Sequence, residues 1–132
     1  MNTLPILEIL RSLPYNFFIL DIDAPGFTIL EGSERHIKGM TRRREDITGK
    51  HIFDVFPRQD DYGEDKLLQS FLKVLSTRQS DKIMMQYDLA GEGTDKYEFR
   101  YWKILNLPFM QDGEVRYIIN CPEDVTPIFK IL

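Results

Sequence analysis

Residues 99–119, "FRYWKILNLPFMQDGEVRYII", decide how the rest of the chain is read. Apolar and polar residues alternate on both sides of Gln111-Asp112-Gly113. That pattern predicts two strands joined by a tight turn, with Asp-Gly supplying the positive φ angles that such a turn needs. Residues 97–107 form one strand and residues 115–121 the other. Upstream, residues 82–89 read as a further strand, set off by the polar, glycine-rich loop Ala90-Gly91-Glu92-Gly93-Thr94-Asp95. Hairpin connections imply an antiparallel sheet, and the rest of the chain must cover at least one of its faces.

Working outward, residues 17–22 are apolar and aromatic, as in a buried strand. Asp23-Ala24-Pro25-Gly26 makes a turn, and residues 27–30 return as a second strand. The period then changes. Ser33 can cap a short helix carrying Ile37 and Met40, residues 44–48 give another turn closed by Gly49, and Ile52, Phe53, Val55 and Phe56 form an apolar knot halted by Pro57. Leu67, Leu68, Phe71, Leu72, Val74 and Leu75 repeat at three and four residues, which predicts one long amphipathic helix. The acidic run 60–65 before it suits the positive end of a helix dipole, and its spacing is not that of a calcium-binding loop. At the front, Leu4, Ile6, Leu7, Ile9, Leu10 and Leu13 make a helix with a broad apolar face, with Thr3 as its cap, Pro5 in its first turn and Pro14 at its end. The sum is an α+β fold: a five-stranded antiparallel sheet, short helices and one long helix on one face, and an N-terminal amphipathic helix.

Composition narrows the function. The chain has 132 residues, enough for one domain, with 42% hydrophobic and 29% charged residues and a net charge of -4. That charge argues against nucleic acid as a partner, because phosphate binding needs a basic face. Arg42-Arg43-Arg44, the one basic run, is followed at once by Glu45-Asp46 and reads as a solvated surface. A single cysteine, Cys121, precludes an internal disulfide and suits a reducing compartment. No apolar run reaches the ~18 residues of a spanning helix, and the start lacks the basic region of a secretion signal, so a cytoplasmic location is expected. Nucleophile elbow, phosphate loop and zinc-protease motifs are absent. His36 and His51 stand apart from each other and from any metal-ligand spacing, and read as surface or turn histidines.

The order of elements, with these residues in place, resembles the PAS family of sensory domains, and most of all the input modules of bacterial two-component regulators such as sensor histidine kinases. Four stretches carry the resemblance: "FFILDIDAPGFTILEGS", "REDITGKHIFDVFP", the opening hairpin quoted above, and the terminal "EDVT" at residues 123–126. The sequence departs from the family pattern at loop 90–95 and at Pro127, where the family often has a charged residue. The implied layout is an N-terminal helix at 1–13, a PAS domain at 14–126 and the start of an output helix at 127–132.

The resemblance implies a pocket between sheet and helices. By likeness to the flavin-binding members, Trp102, Ile104, Asn106, Ile118 and Asn120 would face it, with Met85 and Tyr87 joining from the preceding strand. It also implies that Asp124 and Thr126 join the last strand to the output helix. Thr126 is expected to cap that helix, with Pro127 in its first position. The photoactive flavin class carries its cysteine in a helical Asn-Cys-Arg motif, whereas Cys121 lies on the last strand in "INCPE". The haem class carries its ligand on the long helix, and residues 63–77 contain no histidine. Flavin and haem are therefore not expected, and the cofactor stays unassigned. The expected function is a non-catalytic sensor that relays a small-molecule or conformational signal to a downstream effector, with a homodimer as its working form. Two alternatives are a dimerisation module without ligand and a small cone-shaped isomerase. The latter would need Glu98 or Asp88 as a buried carboxylate in a different strand register.

Overall fold

The computed structural model describes residues 4–40, 42–57, 59, 65–90 and 96–131. Thr3, the acidic residues 60–64 and loop residues 91–95 lie outside that set, so the expectations placed on them have no structural counterpart.

Five strands form one antiparallel sheet. They are β1 (Phe18–Asp21), β2 (Ile29–Gly32), β3 (Asp81–Gln86), β6 (Tyr101–Gln111) and β7 (Glu114–Asp124), in the spatial order β2-β1-β7-β6-β3. The long β6–β7 hairpin is the central ladder, and Asp112 and Gly113 turn it with φ of 54° and 80°. Alternation puts Trp102, Ile104 and Asn106 of β6, and Ile118 and Asn120 of β7, on the buried face. Four helices cover that face: α2 (Glu34–Gly39), α3 (Arg44–Ile47), α4 (Ile52–Val55) and α5 (Lys66–Thr77). The core joins Phe18, Leu20 and Ile118 of the sheet to Ile37, Ile47, Ile52, Val55, Phe71 and Val74 of the helices. Burying each such side chain stabilises the fold by roughly 1.5–3 kcal/mol.

Local chemistry fixes the helix starts. Ser33 accepts the His36 N–H, and Asp65 accepts the Leu68 N–H at 3.0 Å, so one carboxylate of the acidic run caps α5 directly. Gly49 takes φ of +85° after α3, a backbone region that favours glycine. Leu72 differs from its periodic neighbours and faces outward.

Several boundaries differ from the sequence expectation: the strands expected at 27–30 and 82–89 are found at Ile29–Gly32 and Asp81–Gln86, and β6 continues past residue 107 to Gln111. Residues 97–98 do not begin the long strand: Leu89–Ala90 (β4) and Tyr97–Glu98 (β5) make a separate two-stranded ladder. The chain steps between ladders at Phe99-Arg100, where the Arg100 N–H donates to Asp88 Oδ1 at 3.2 Å and its carbonyl accepts the Tyr87 N–H at 3.0 Å. The final strand runs three residues past Cys121, to Asp124, and leads straight into α6 (Thr126–Ile131). The N-terminal helix, α1 (Ile6–Ser12), starts after Pro5 and has no buried residue. Its anchor is ionic: Arg11 donates to both oxygens of Glu31, at 3.1 and 3.0 Å, and Arg44 binds the same carboxylate. Burial alone would raise the Glu31 pKa, but Arg11, the Gly32 N–H and Arg44 hold it below the usual carboxylate range.

Candidate functional site

Between the buried sheet face and helices α2, α4 and the start of α5 lies a cavity of about 870 Å³. Aromatic and aliphatic side chains form most of its wall, including Phe18 from β1, Ile52 and Phe53 from α4, and Phe56 just after it. A site of that size and composition suits a small organic molecule.

Of the seven residues expected to face a pocket, Met85, Tyr87, Trp102, Ile104 and Asn120 line this cavity. Asn106 and Ile118 do not. Ile118 is fully buried against the helices as part of the core. Asn106, also fully buried, lies deeper and bonds to Ser70 of α5. Alternation along β6 and β7 gives the face a side chain points to, but not how close a helix comes behind it. Where α5 packs directly on the sheet, the inward position becomes core.

The polar groups of the wall fall into two sets. The first ties the segment after β3 to the chain that follows α4. Trp102 Nε1–H donates to the Tyr87 carbonyl at 2.8 Å, and the Tyr87 hydroxyl donates to the Pro57 carbonyl at 2.7 Å. Burial chiefly, with Tyr97 adding, pushes the Tyr87 phenol up to about 12, so it stays protonated as a donor. Gln59 clamps Asp88 with two hydrogen bonds, both 2.7 Å: its Nε2 donates to the Asp88 carbonyl, and its Oε1 accepts the Asp88 N–H. The Asp88 carboxylate also accepts from Gln86, while Glu98 is exposed on β5 and bonds Arg100.

The second set starts at Asn120 in the wall and runs from there away from the cavity. Asn120 Nδ2 donates to Asn106 Oδ1 at 2.8 Å, Asn106 Nδ2 donates to Ser70 Oγ at 2.9 Å, and Ser70 donates to Asp81 Oδ2 at 2.7 Å. Lys73 completes the string at 3.3 Å from Asp81. The second inner group is His36, which corrects the expectation of a surface histidine. It is 4% exposed, lines the cavity from α2, and packs against Phe18 with ring centroids 4.4 Å apart and planes tilted by 55°. Burial depresses its pKa to about 4, so the imidazole is neutral near pH 7. The sequence places His36 next to Ile37 on a short helix, but that spacing alone does not say which of the two faces of the helix is covered. His51 is half-exposed near Asp23 and Asp54, as a turn histidine.

The junction adjoins the cavity wall. Tyr101, in the cavity wall, donates its N–H to Thr126 Oγ1 at 2.9 Å, and its carbonyl accepts the Val125 N–H at 2.9 Å. Asp124 Oδ1 accepts both the N–H and the hydroxyl of Thr126, and Asp124 Oδ2 lies 3.5 Å from Arg100 Nε. Thr126 is therefore not the cap of α6 but its first residue, with Pro127 second. Its hydroxyl completes the ladder at the start of β6, and Asp124 accepts the first N–H of α6.

Comparison with solved structures follows this geometry. The LOV protein of Rhodobacter sphaeroides superposes with a TM-score of 0.72 over 92% of this chain and 65% of its own, at 10% identity. A sensory box sensor histidine kinase from Vibrio cholerae gives 0.60 over 92% of this chain and 89% of its own, at 22% identity. The PAS domain of BvgS from Bordetella pertussis gives 0.54 over 96% and 87%, at 17% identity. The chain has the PAS fold. It spans just under two thirds of the Rhodobacter protein, and no protein-family model and no curated protein matches the sequence. The PAS cavity does not fit flavin–cysteine chemistry: Asn120 and Pro122 face the cavity, so their neighbour Cys121 points to the other side of the sheet. Among the described residues, no group of three or more His, Cys, Asp or Glu could hold a metal ion, and no helix is long and apolar enough to cross a membrane.

Proposed function

We propose that this PAS domain is a non-catalytic sensory input module, cytoplasmic, whose cavity state is relayed through the Asp124–Thr126 junction to an effector such as a histidine kinase. One observation carries the reading. Tyr101 belongs to the cavity wall and is bonded through both its N–H and its carbonyl to the residues that start α6. A displacement of β6 by a ligand is thereby a displacement of the α6 start. The Vibrio neighbour, a sensory box sensor histidine kinase, supports an effector of that class. The working form is a homodimer. Its support is the exposed apolar side of α1, where Ile6, Leu7 and Ile9 are 53%, 51% and 43% exposed.

The test is Thr126→Val in the full-length protein that carries this domain. The substitution keeps the shape and removes the hydroxyl, leaving the Tyr101 N–H without its partner at a cost of about 1–3 kcal/mol. The domain stays folded and the effector stops responding to its signal. Unchanged effector regulation overturns the relay.

A further inference from the structure

The direction of every hydrogen bond in the buried string is fixed by its ionic end. Ionised Asp81 can only accept, so Ser70 donates to it at 2.7 Å. Ser70 Oγ then serves as the acceptor for Asn106 Nδ2, which turns Asn106 Oδ1 toward Asn120. Asn120 must therefore present Nδ2 to Asn106, and its own carbonyl oxygen accepts nothing from the described residues. Asn120 is 3% exposed and lines the cavity. Asn120 Oδ1 is thus a buried acceptor in a set orientation on the cavity wall, with no donor to it among the described residues.

The charge of the wall says what carries that donor. The ionic groups that line the cavity have partners: Asp65 caps α5, Lys66 reaches the Met84 carbonyl at 3.3 Å, and Asp88 accepts the Arg100 N–H; Arg42, outside the lining, stands over the Phe56 ring, 5.8 Å from its centroid. The inner wall is aromatic and aliphatic, with neutral His36 and Asn120 flanking Phe18, whose ring packs at a tilt against one and whose backbone pairs with the other. A charged ligand held beside His36 and Asn120 would lose its hydration there with no counter-ion among the described residues of that inner wall. A flat apolar ligand would meet the rings of Phe18, Phe53, Phe56 and Trp102.

We propose that the cavity binds an uncharged aromatic molecule bearing a hydroxyl or N–H group that donates to Asn120 Oδ1. The inference rests on the sensory reading above and names the class of signal molecule.

Three naphthalenes of similar shape test it on the intact chain: 2-naphthol, 2-methoxynaphthalene and 2-naphthoate, with binding followed through the Trp102 indole NMR signal near neutral pH. The naphthol should bind about tenfold more tightly than the methoxy compound, which lacks the donor, and more tightly still than the carboxylate. Asn120→Leu should remove that preference by weakening naphthol alone. Ser70→Ala supplies a second variant if Asn120→Leu does not fold: it keeps Asn120 but releases the amide to turn, and the preference should narrow. Equal affinity for the methoxy compound, naphthoate binding as tightly as naphthol, or no binding by any of the three overturns the assignment. Effector output is not read here, so such a failure leaves the junction relay standing. Intact naphthol binding with an unresponsive effector would instead count against the relay.

Discussion

His36 is where the chain accepts a local cost, an imidazole enclosed by Phe18 and the cavity wall with a pKa depressed to about 4. In the unfolded chain the same group titrates near 6.5. Between those values the unfolded state binds the extra proton, so stability falls as pH falls through the window from about 6.5 to 4. From pH 7 to pH 5 this single residue should remove about 2 kcal/mol. Chemical denaturation at the two pH values measures it, and His36→Phe should flatten the dependence over that range. An equal slope in the variant would show that other groups set it. Nothing in the periodicity of residues 33–40 distinguishes a histidine that faces solvent from one that faces a cavity. Only the arrival of β1 beneath α2, bringing Phe18 to 4.4 Å, makes the difference.

Among the elements, α1 stands apart because its apolar residues stay exposed while Arg11, Glu31 and Arg44 tie it to β2. A helix held so contributes little core. Removing residues 1–13 should leave the sheet and α5 intact, and turn the proposed dimer into a monomer, as read by circular dichroism and analytical ultracentrifugation. A truncated chain that unfolds, or that remains dimeric, contradicts this picture. Elements whose signal is local were legible in the sequence: the Asp112-Gly113 hairpin, the Ser33 cap and the apolar face of α5. Elements set by distant partners were not. The break at Phe99-Arg100 depends on Asp88 capturing the Arg100 N–H, twelve residues away, and residues 97–107 alone carry no trace of it. Thr126 was misread for the same reason, since its hydroxyl serves a backbone group twenty-five residues earlier.

On the scale of the whole molecule, the cavity and the junction share one strand. The fold itself was readable from the order of the strands and helices, because hairpins and an amphipathic cover leave few arrangements. The cavity was readable only as a list of inward strand positions. Its helical wall, and the removal of Asn106 and Ile118 into solid packing, follow from how closely α5 approaches the sheet. Coupling between two sites must act in both directions, so a change at the junction has to be felt in the cavity. The most direct measurement is therefore an NMR comparison of the intact chain with its Thr126→Val variant. The account predicts shifts at the Trp102 indole and the Met85 methyl group, with the Ile47 and Val74 methyls unchanged. Shifts confined to the immediate neighbours of residue 126 would contradict it.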